Sequence, residues 1–322
     1  MNKLKEILSK PVNLADQMVL IGIFMAFLYW GLEAFLNVFS PKEITIYRQL
    51  FGPNISGMWL RLIVLCLFLI FGSHVQFTIN KRKKAEQALL DSYRKLQNAR
   101  MATILGLAKL AEYRDEGTGT HLERIREYAK IIAEELAKTP KYQNIITPEY
   151  IDNIYQSSIL HDIGKVGIPD AILLKPDKLT DEEFAVIKRH TLLGGDAIQA
   201  IEYQIEGESF LQMGKEIAYN HHEKWDGSGY PAGLDSEDIP LSARIVAMAD
   251  VYDALTTERF YKRAYTHEKS RQIIMGLRTT HFDPEIVDVF LQLDDEFKRI
   301  RGEQYRKDTD WMELPVRTMR VS

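Results

Sequence analysis

Cysteine is almost missing from this sequence: Cys66 is the single one in 322 residues. A disulfide framework and a cysteine-cluster metal site are therefore both excluded. No glycine-rich run resembles a phosphate-binding loop or a dinucleotide fingerprint. Strand-like alternation never persists long enough to build a sheet. Internal repeats and low-complexity tracts are absent too, and no basic stripe interleaved with aromatics offers a surface to a nucleic-acid polymer. A net positive balance is confined to one end. Residues 1–84 carry 10 basic and 4 acidic side chains, which leaves 31 basic against 41 acidic for the rest. What is abundant is apolar: hydrophobic residues make up 46% of the chain, with 15 Tyr and 14 Phe, so it is not disordered.

The basic end is also the most apolar. From Val19 to Leu32 there is no charge, and the apolar character continues past Glu33 to Phe39. At 1.5 Å per helical residue, such a run matches the hydrocarbon thickness of a bilayer. A second run, Met58 to Phe77, holds Arg61 as its one charge, near the start, where the side chain can reach the interface. Lys81, Arg82, Lys83 and Lys84 follow directly, and Lys3, Lys5 and Lys10 precede the first run. Basic flanks on both sides predict a hairpin of two spans, about 18–39 and 58–78, with both ends in the cytoplasm. The outer loop, roughly residues 40–57, is too short to fold as a sensor. A cleaved signal peptide fits less well than an anchor. The expected location is therefore the cytoplasmic membrane, with the remaining domain inside the cell.

The expected organisation is a membrane anchor over 1–80, a linker helix over 81–104, a helical domain over 105–300 and a tail over 301–322. One continuous helix is predicted over 78–113. It carries Ala85, Leu89, Tyr93, Leu96, Ala99 and Ala102 on one face, a stripe suited either to a homodimer through this helix or to packing on the soluble domain. Further on, apolar residues recur at three and four positions over 119–137, 148–162, 180–201, 209–221, 241–257, 267–278 and 284–300, which predicts an all-α domain.

Histidine carries the functional signal. His121, His161, His190, His221 and His222 each lie in a short polar interruption or at a helix end, while Asp162 adjoins His161 and Asp250 sits in the apolar helix Ala243–Asp250. A carboxylate on the buried side of such a helix needs a strong partner, and a metal ion is a common one. Nitrogen and oxygen donors without sulfur suit iron, manganese or zinc. Seven such ligands suit two ions with one carboxylate between them better than one tetrahedral ion.

The motifs His161-Asp-Ile-Gly-Lys-Val-Gly-Ile-Pro169, His221-His-Glu-Lys-Trp-Asp-Gly-Ser-Gly-Tyr-Pro231, Ile239-Pro-Leu-Ser-Ala-Arg244 and Asp250-Val-Tyr-Asp-Ala-Leu-Thr256 resemble the HD-GYP family of cyclic di-GMP phosphodiesterases, within the HD phosphohydrolases. The resemblance covers residues 105–300. It implies two divalent ions, iron or manganese: His121, His161, Asp162 and Asp250 around one, and His190, His221 and His222 around the other, with Asp162 bridging. Lys165 is implied as a catalytic and phosphate-binding residue. Arg259 and Lys262 are implied as phosphate contacts, and Gly229, Tyr230 and Pro231 as a signature loop beside the substrate. The implied reaction is hydrolysis of cyclic di-GMP to linear pGpG, with GMP as a possible further product, by in-line attack of a hydroxide between the ions. Two alternatives stay open. One is a hydrolase of another cyclic dinucleotide such as a GMP-AMP hybrid, and the other is a non-catalytic cyclic di-GMP receptor. The chain departs from the family in three places. Gly117 stands where members with a third ion carry Glu, Glu116 being one residue out of register, so two ions rather than three are expected. Thr191 and Phe260 each replace a common Pro.

Overall fold

The computed structural model describes residues 17–39, 55–113, 120–204, 209–258 and 263–302. Among them there are helices and no β-strand, apart from an isolated bridge between Arg278 and Phe282. The helices are α1 (Gln17–Val38), α2 (Ile55–Glu112), α3 (His121–Leu136), α4 (Pro148–Ser157), α5 (Asp170–Leu173), α6 (Asp181–Lys188), α7 (His190–Glu202), α8 (Phe210–Asn220), α9 (Leu241–Thr256), α10 (His267–Gly276) and α11 (Pro284–Gln292). The all-α class expected from periodicity is what the chain adopts. By its contacts the chain divides into two compact units, residues 1–98 and 99–322.

In the first unit, α1 runs antiparallel to the early part of α2. The Met18 amide donates to the Gln76 side-chain oxygen at 3.2 Å, and Arg61 Nε donates to Glu33 Oε2 at 3.0 Å. Between these ends the backbones meet at two glycines. A Cβ on Gly22 would lie 2.6 Å from the Phe68 carbonyl oxygen, and one on Gly72 would lie 2.5 Å from that of Met18. Small residues at a crossing allow such close approach where apolar burial offers little drive. Leu20, Phe24, Phe27, Leu67, Ile70 and Phe71 point outward and are exposed. Both helices are long and apolar enough to cross a membrane.

The second unit is built around α9. This helix is apolar on nearly every side, as befits a central element: Ala243, Ile245, Val246, Met248, Ala249 and Tyr252 are all fully buried. Against it lies α3, whose Ile125, Tyr128, Ala129, Ile132, Ala133 and Leu136 recur at three and four residues and are equally buried. Tyr128 stacks on Phe297 with ring centres 4.6 Å apart and meets Tyr252 edge-on at 5.2 Å. A second cluster joins Leu122, Ile159, Leu160, Ile198, Phe210 and Ala218 to Ala108 at the end of α2.

Two local features set up the site. Residues 180–201, expected as one helix, form two, α6 and α7, with the break at Arg189. His190 Nδ1 donates to the Ile187 carbonyl at 2.8 Å, and the Thr191 hydroxyl donates to that of Lys188 at 3.0 Å. Side chains thus take carbonyls that a continuous helix would use. The stretch after α4, expected to stay helical to residue 162, instead tightens into 3₁₀ turns at Ser158–Leu160 and Ile163–Gly167, with His161 and Asp162 between them. Gly164 touches α7 so closely that a Cβ there would overlap the His190 carbonyl oxygen.

Candidate metal centre

Each histidine comes from a helix end or a tight turn. His121 is the first residue of α3 and His190 the first of α7, while His221 and His222 follow the last residue of α8. Asp250 projects from the middle of α9. These elements converge, and the donor atoms fall into two groups: Asp162, His190, His221 and His222 in one, and His121, His161 and Asp250 in the other, with ligand atoms in each group within 4.8 Å of one another. All seven metal-site residues inferred from sequence are brought together.

The ring orientations are decided by chemistry. His161, His190 and His221 direct Nδ1 at the carbonyl oxygens of Ser158, Ile187 and Ile217, at 2.8, 2.8 and 3.0 Å. A carbonyl can only accept, so each Nδ1 carries the hydrogen, and in the neutral ring Nε2 is left as a lone pair. His121 does the same with the Asp253 carboxylate, at 2.6 Å. His190 Nε2 and His221 Nε2 then face each other at 3.5 Å. Two such lone pairs repel unless a cation lies between them.

Asp162 stands between the groups. Its Oδ1 lies 3.1 Å from His190 Nε2 and 3.6 Å from His221 Nε2, while its Oδ2 lies 3.3 Å from His161 Nε2. His161 Nε2 and Asp162 Oδ1 are buried and make no hydrogen bond. Orphaned donor atoms converging in this way fit divalent ions with N and O ligands.

The electrostatics agree with that fit. Burial would raise the Asp162 carboxyl, but Lys165 and the histidines hold it well below the usual carboxylate range. Burial pushes the His221 and His222 imidazoles down, so both are neutral near pH 7 and ready to act as ligands. His161 is raised. Burial opposes its charge, but the carboxylates of Asp162 and Asp250 outweigh it and favour a cation at this spot.

Lys165 Nζ lies 2.8 Å from Asp162 Oδ2, so it is already drawn to the central carboxylate. The signature loop is tied to the ligands. Tyr230 donates its amide to the His222 carbonyl at 3.3 Å, and its ring stacks on that of His222 at 4.8 Å. Gly229 passes so close to Glu223 and Lys224 that a Cβ would overlap their backbone. Tyr230–Pro231 is a cis peptide bond. Arg259 and Lys262, expected at the substrate phosphates, lie outside the described residues, as do Phe260, Glu116 and Gly117.

Three supporting residues were not assigned from sequence. Asp253 orients His121 and is gripped by Arg124, with Nε 2.6 Å from Oδ1 and Nη2 2.9 Å from Oδ2. Glu223, 2% exposed, accepts the amides of Ala232 and Gly233 at 2.7 and 3.1 Å and so holds the signature loop. A signal for Asp253 existed: it lies three residues after Asp250 on the same apolar helix, where a second buried carboxylate needs its own partner.

Comparison with known proteins agrees with this geometry. The HD domain family profile matches residues 106–286. A cyclic di-GMP phosphodiesterase of Vibrio cholerae serotype O1 is 50% identical over 216 residues, 66% of this chain and 44% of that protein. A probable cyclic di-GMP phosphodiesterase of the same organism is 47% identical over 68% of this chain and 50% of that protein. A 3'3'-cGAMP-specific phosphodiesterase 2, also from Vibrio cholerae, is 40% identical over 62% of this chain and 36% of that protein. The chain thus spans about half or less of the length of these curated relatives. With the histidine and aspartate motifs gathered at one centre and the family profile covering more than half its length, the chain belongs to the HD domain family, in its HD-GYP branch.

Proposed function

We propose that this chain is a phosphodiesterase that hydrolyses cyclic di-GMP to linear pGpG at a centre of two divalent ions, iron or manganese. The observation that carries this reading is Asp162, which turns one carboxylate oxygen to each of the two donor groups. The names of the relatives support the substrate. When bound, the ions would supply a water activated as nucleophile and would neutralise phosphoryl charge. The protein does the rest. Asp162 fixes the spacing of the two groups, and the carbonyl-bound imidazoles hold their lone pairs toward them without reorganising. Lys165, Arg259 and Lys262 attract the phosphates. That attraction must be local, because residues 85–322 carry more acidic than basic side chains. Gly229, Tyr230 and Pro231 wall the site beside His222.

The test uses the full chain in detergent, loaded with Fe(II) or Mn(II) and given cyclic di-GMP or 3'3'-cGAMP in parallel, with products followed over time. Metal-dependent formation of pGpG, faster than turnover of the hybrid, is expected, and a later rise of GMP would show onward cleavage. Faster cleavage of the hybrid would transfer the assignment to the activity named for one relative. Binding of cyclic di-GMP without turnover under either metal would make the chain a receptor.

The same reading holds the enzyme at the cytoplasmic membrane. Supporting it are the two apolar helices, their outward-facing side chains and the basic run Lys81–Lys84. On a Cys66→Ser background, Asn54→Cys should react with an impermeant thiol reagent in intact cells and Gln87→Cys should not. The opposite pattern, or labelling of both, would overturn the topology. Leu89, Tyr93 and Leu96 are 70%, 60% and 67% exposed on one face of α2, which supports a homodimer through this helix, a point that sedimentation in detergent would decide.

A further inference from the structure

The short helix α6 borders the signature loop. Its first turn is fixed by a reciprocal cap: the Glu183 amide donates to the Thr180 hydroxyl at 3.2 Å, and the Thr180 amide donates to Glu183 Oε2 at 2.8 Å. Lys175 pairs with the same carboxylate at 2.6 Å. None of the eight residues of α6 is fully buried, so the helix is ordered by its cap more than by packing, and Phe184 stays 44% exposed. Phe184 and Lys188, four residues apart, share one face. That face meets Tyr230. The Phe184 and Tyr230 ring centres are 6.2 Å apart with planes at 83°, and Lys188 Nζ lies 5.4 Å from the centre of the first ring and 5.8 Å from that of the second. Tyr230 in turn stacks on the ligand His222, and the carboxylates of Asp162 and Asp250 add to burial in pushing its hydroxyl up, which puts it beside the metal centre. Two aromatic rings at right angles and an ammonium group therefore form a corner next to the ions, about the reach of a base from its own phosphate. An open aromatic face stacks nucleobases of any kind. The ammonium adds a choice, because guanine offers two acceptors, O6 and N7, on one edge, whereas adenine carries an amino donor in place of O6.

We infer that Phe184 and Lys188 form a nucleobase subsite at the rim of the metal centre, Phe184 stacking on a guanine of the substrate and Lys188 donating to its O6 and N7. Neither residue belongs to a motif that marks the family: both lie between Pro169, where the first motif ends, and the ligand His190. The assignment rests on the cyclic dinucleotide reading above and deepens it. The ions and Lys165 act on phosphates, which every cyclic dinucleotide has, so selection of the base needs side chains of this other kind.

The test uses full chain in detergent, loaded with Mn(II), as wild type, Phe184→Leu, Phe184→Trp, Lys188→Met and Lys188→Arg. KM and kcat are measured for cyclic di-GMP, together with the inhibition constant of cyclic di-AMP against that reaction, the metal content and the melting temperature. Loss of one stacking face should raise KM about 10-fold in Phe184→Leu and weaken cyclic di-AMP to a similar degree, because stacking is indifferent to the base. Phe184→Trp should restore both. Lys188→Met should raise KM for cyclic di-GMP about 10-fold while the cyclic di-AMP constant stays near that of wild type, and Lys188→Arg should recover the difference. If Lys188 served a phosphate, both constants would rise together in Lys188→Met, and the base assignment would be wrong. If Phe184 merely propped Tyr230, Phe184→Leu would lower kcat, metal content and melting temperature with KM unchanged, which would also overturn it. Wild-type chain that does not turn over cyclic di-GMP would overturn the proposed activity and this subsite with it, whereas an active wild type with unchanged variants overturns the subsite alone.

Discussion

Asp162→Ala should lose hydrolysis of cyclic di-GMP and bound metal together. Its two oxygens face different histidine groups, at 3.1 Å from His190 on one side and 3.3 Å from His161 on the other, so no other side chain described here can replace it. Loss of one charge-stabilising group in a water-excluded site costs about 100–1,000-fold in rate, and losing the ions as well should exceed that. Product formation and elemental analysis of the same preparation check the two effects. Arg259→Ala is the contrasting variant: it should keep near-normal metal and lose substrate binding or turnover. If it lost metal as fully as Asp162→Ala, Arg259 would be a support of the ligand shell. If Asp162→Ala kept full hydrolysis, the two-metal mechanism would be wrong.

The second large effect is expected at Asp253, which touches no substrate. Asp253→Ala leaves the Arg124 guanidinium, 5% exposed, without its carboxylate and releases His121 Nδ1. Removing one partner of a buried ion pair costs about 3–5 kcal/mol, and thermal unfolding should register a loss of that size. Burial would raise the Asp253 carboxyl, but Arg124 and His121 hold it below the usual range. Its contribution is therefore complete above about pH 4 and fades only as acid brings the pH down toward the depressed native value. Replacing both partners, Arg124→Met with Asp253→Leu, should restore much of the stability, since no charge is left buried alone. Metal affinity should stay about 10–100-fold down, because His121 has lost its orienting acceptor. A double variant with wild-type affinity would show that α3 alone orients the ring.

The histidines were legible because a polar, metal-binding side chain stands out against an apolar helix whatever the surrounding fold. Their convergence from α3, α7, α8 and α9 was not legible from spacing. It followed only from the resemblance, since contacts such as His121 to Asp253 join residues 132 positions apart. The break at Arg189 was hidden for a different reason. Periodicity over 180–201 counts apolar residues, and the break is made by the side-chain hydrogen bonds of His190 and Thr191 to the preceding turn. No motif or spacing marks Arg124 as buried, and only packing shows it 5% exposed.

The acceptors that orient His161, His190 and His221 are main-chain carbonyls of Ser158, Ile187 and Ile217. A carbonyl is present whatever residue supplies it, so related chains are free to differ at positions 158, 187 and 217 as far as this support is concerned. Any search for co-varying partners of these three histidines should come back empty there, although the hydrogen bonds persist. His121 is the exception, because its acceptor is a side chain. Drift at position 253 cannot be absorbed by the backbone, so a relative that has lost the carboxylate there should show an altered first metal site even with every ligand intact.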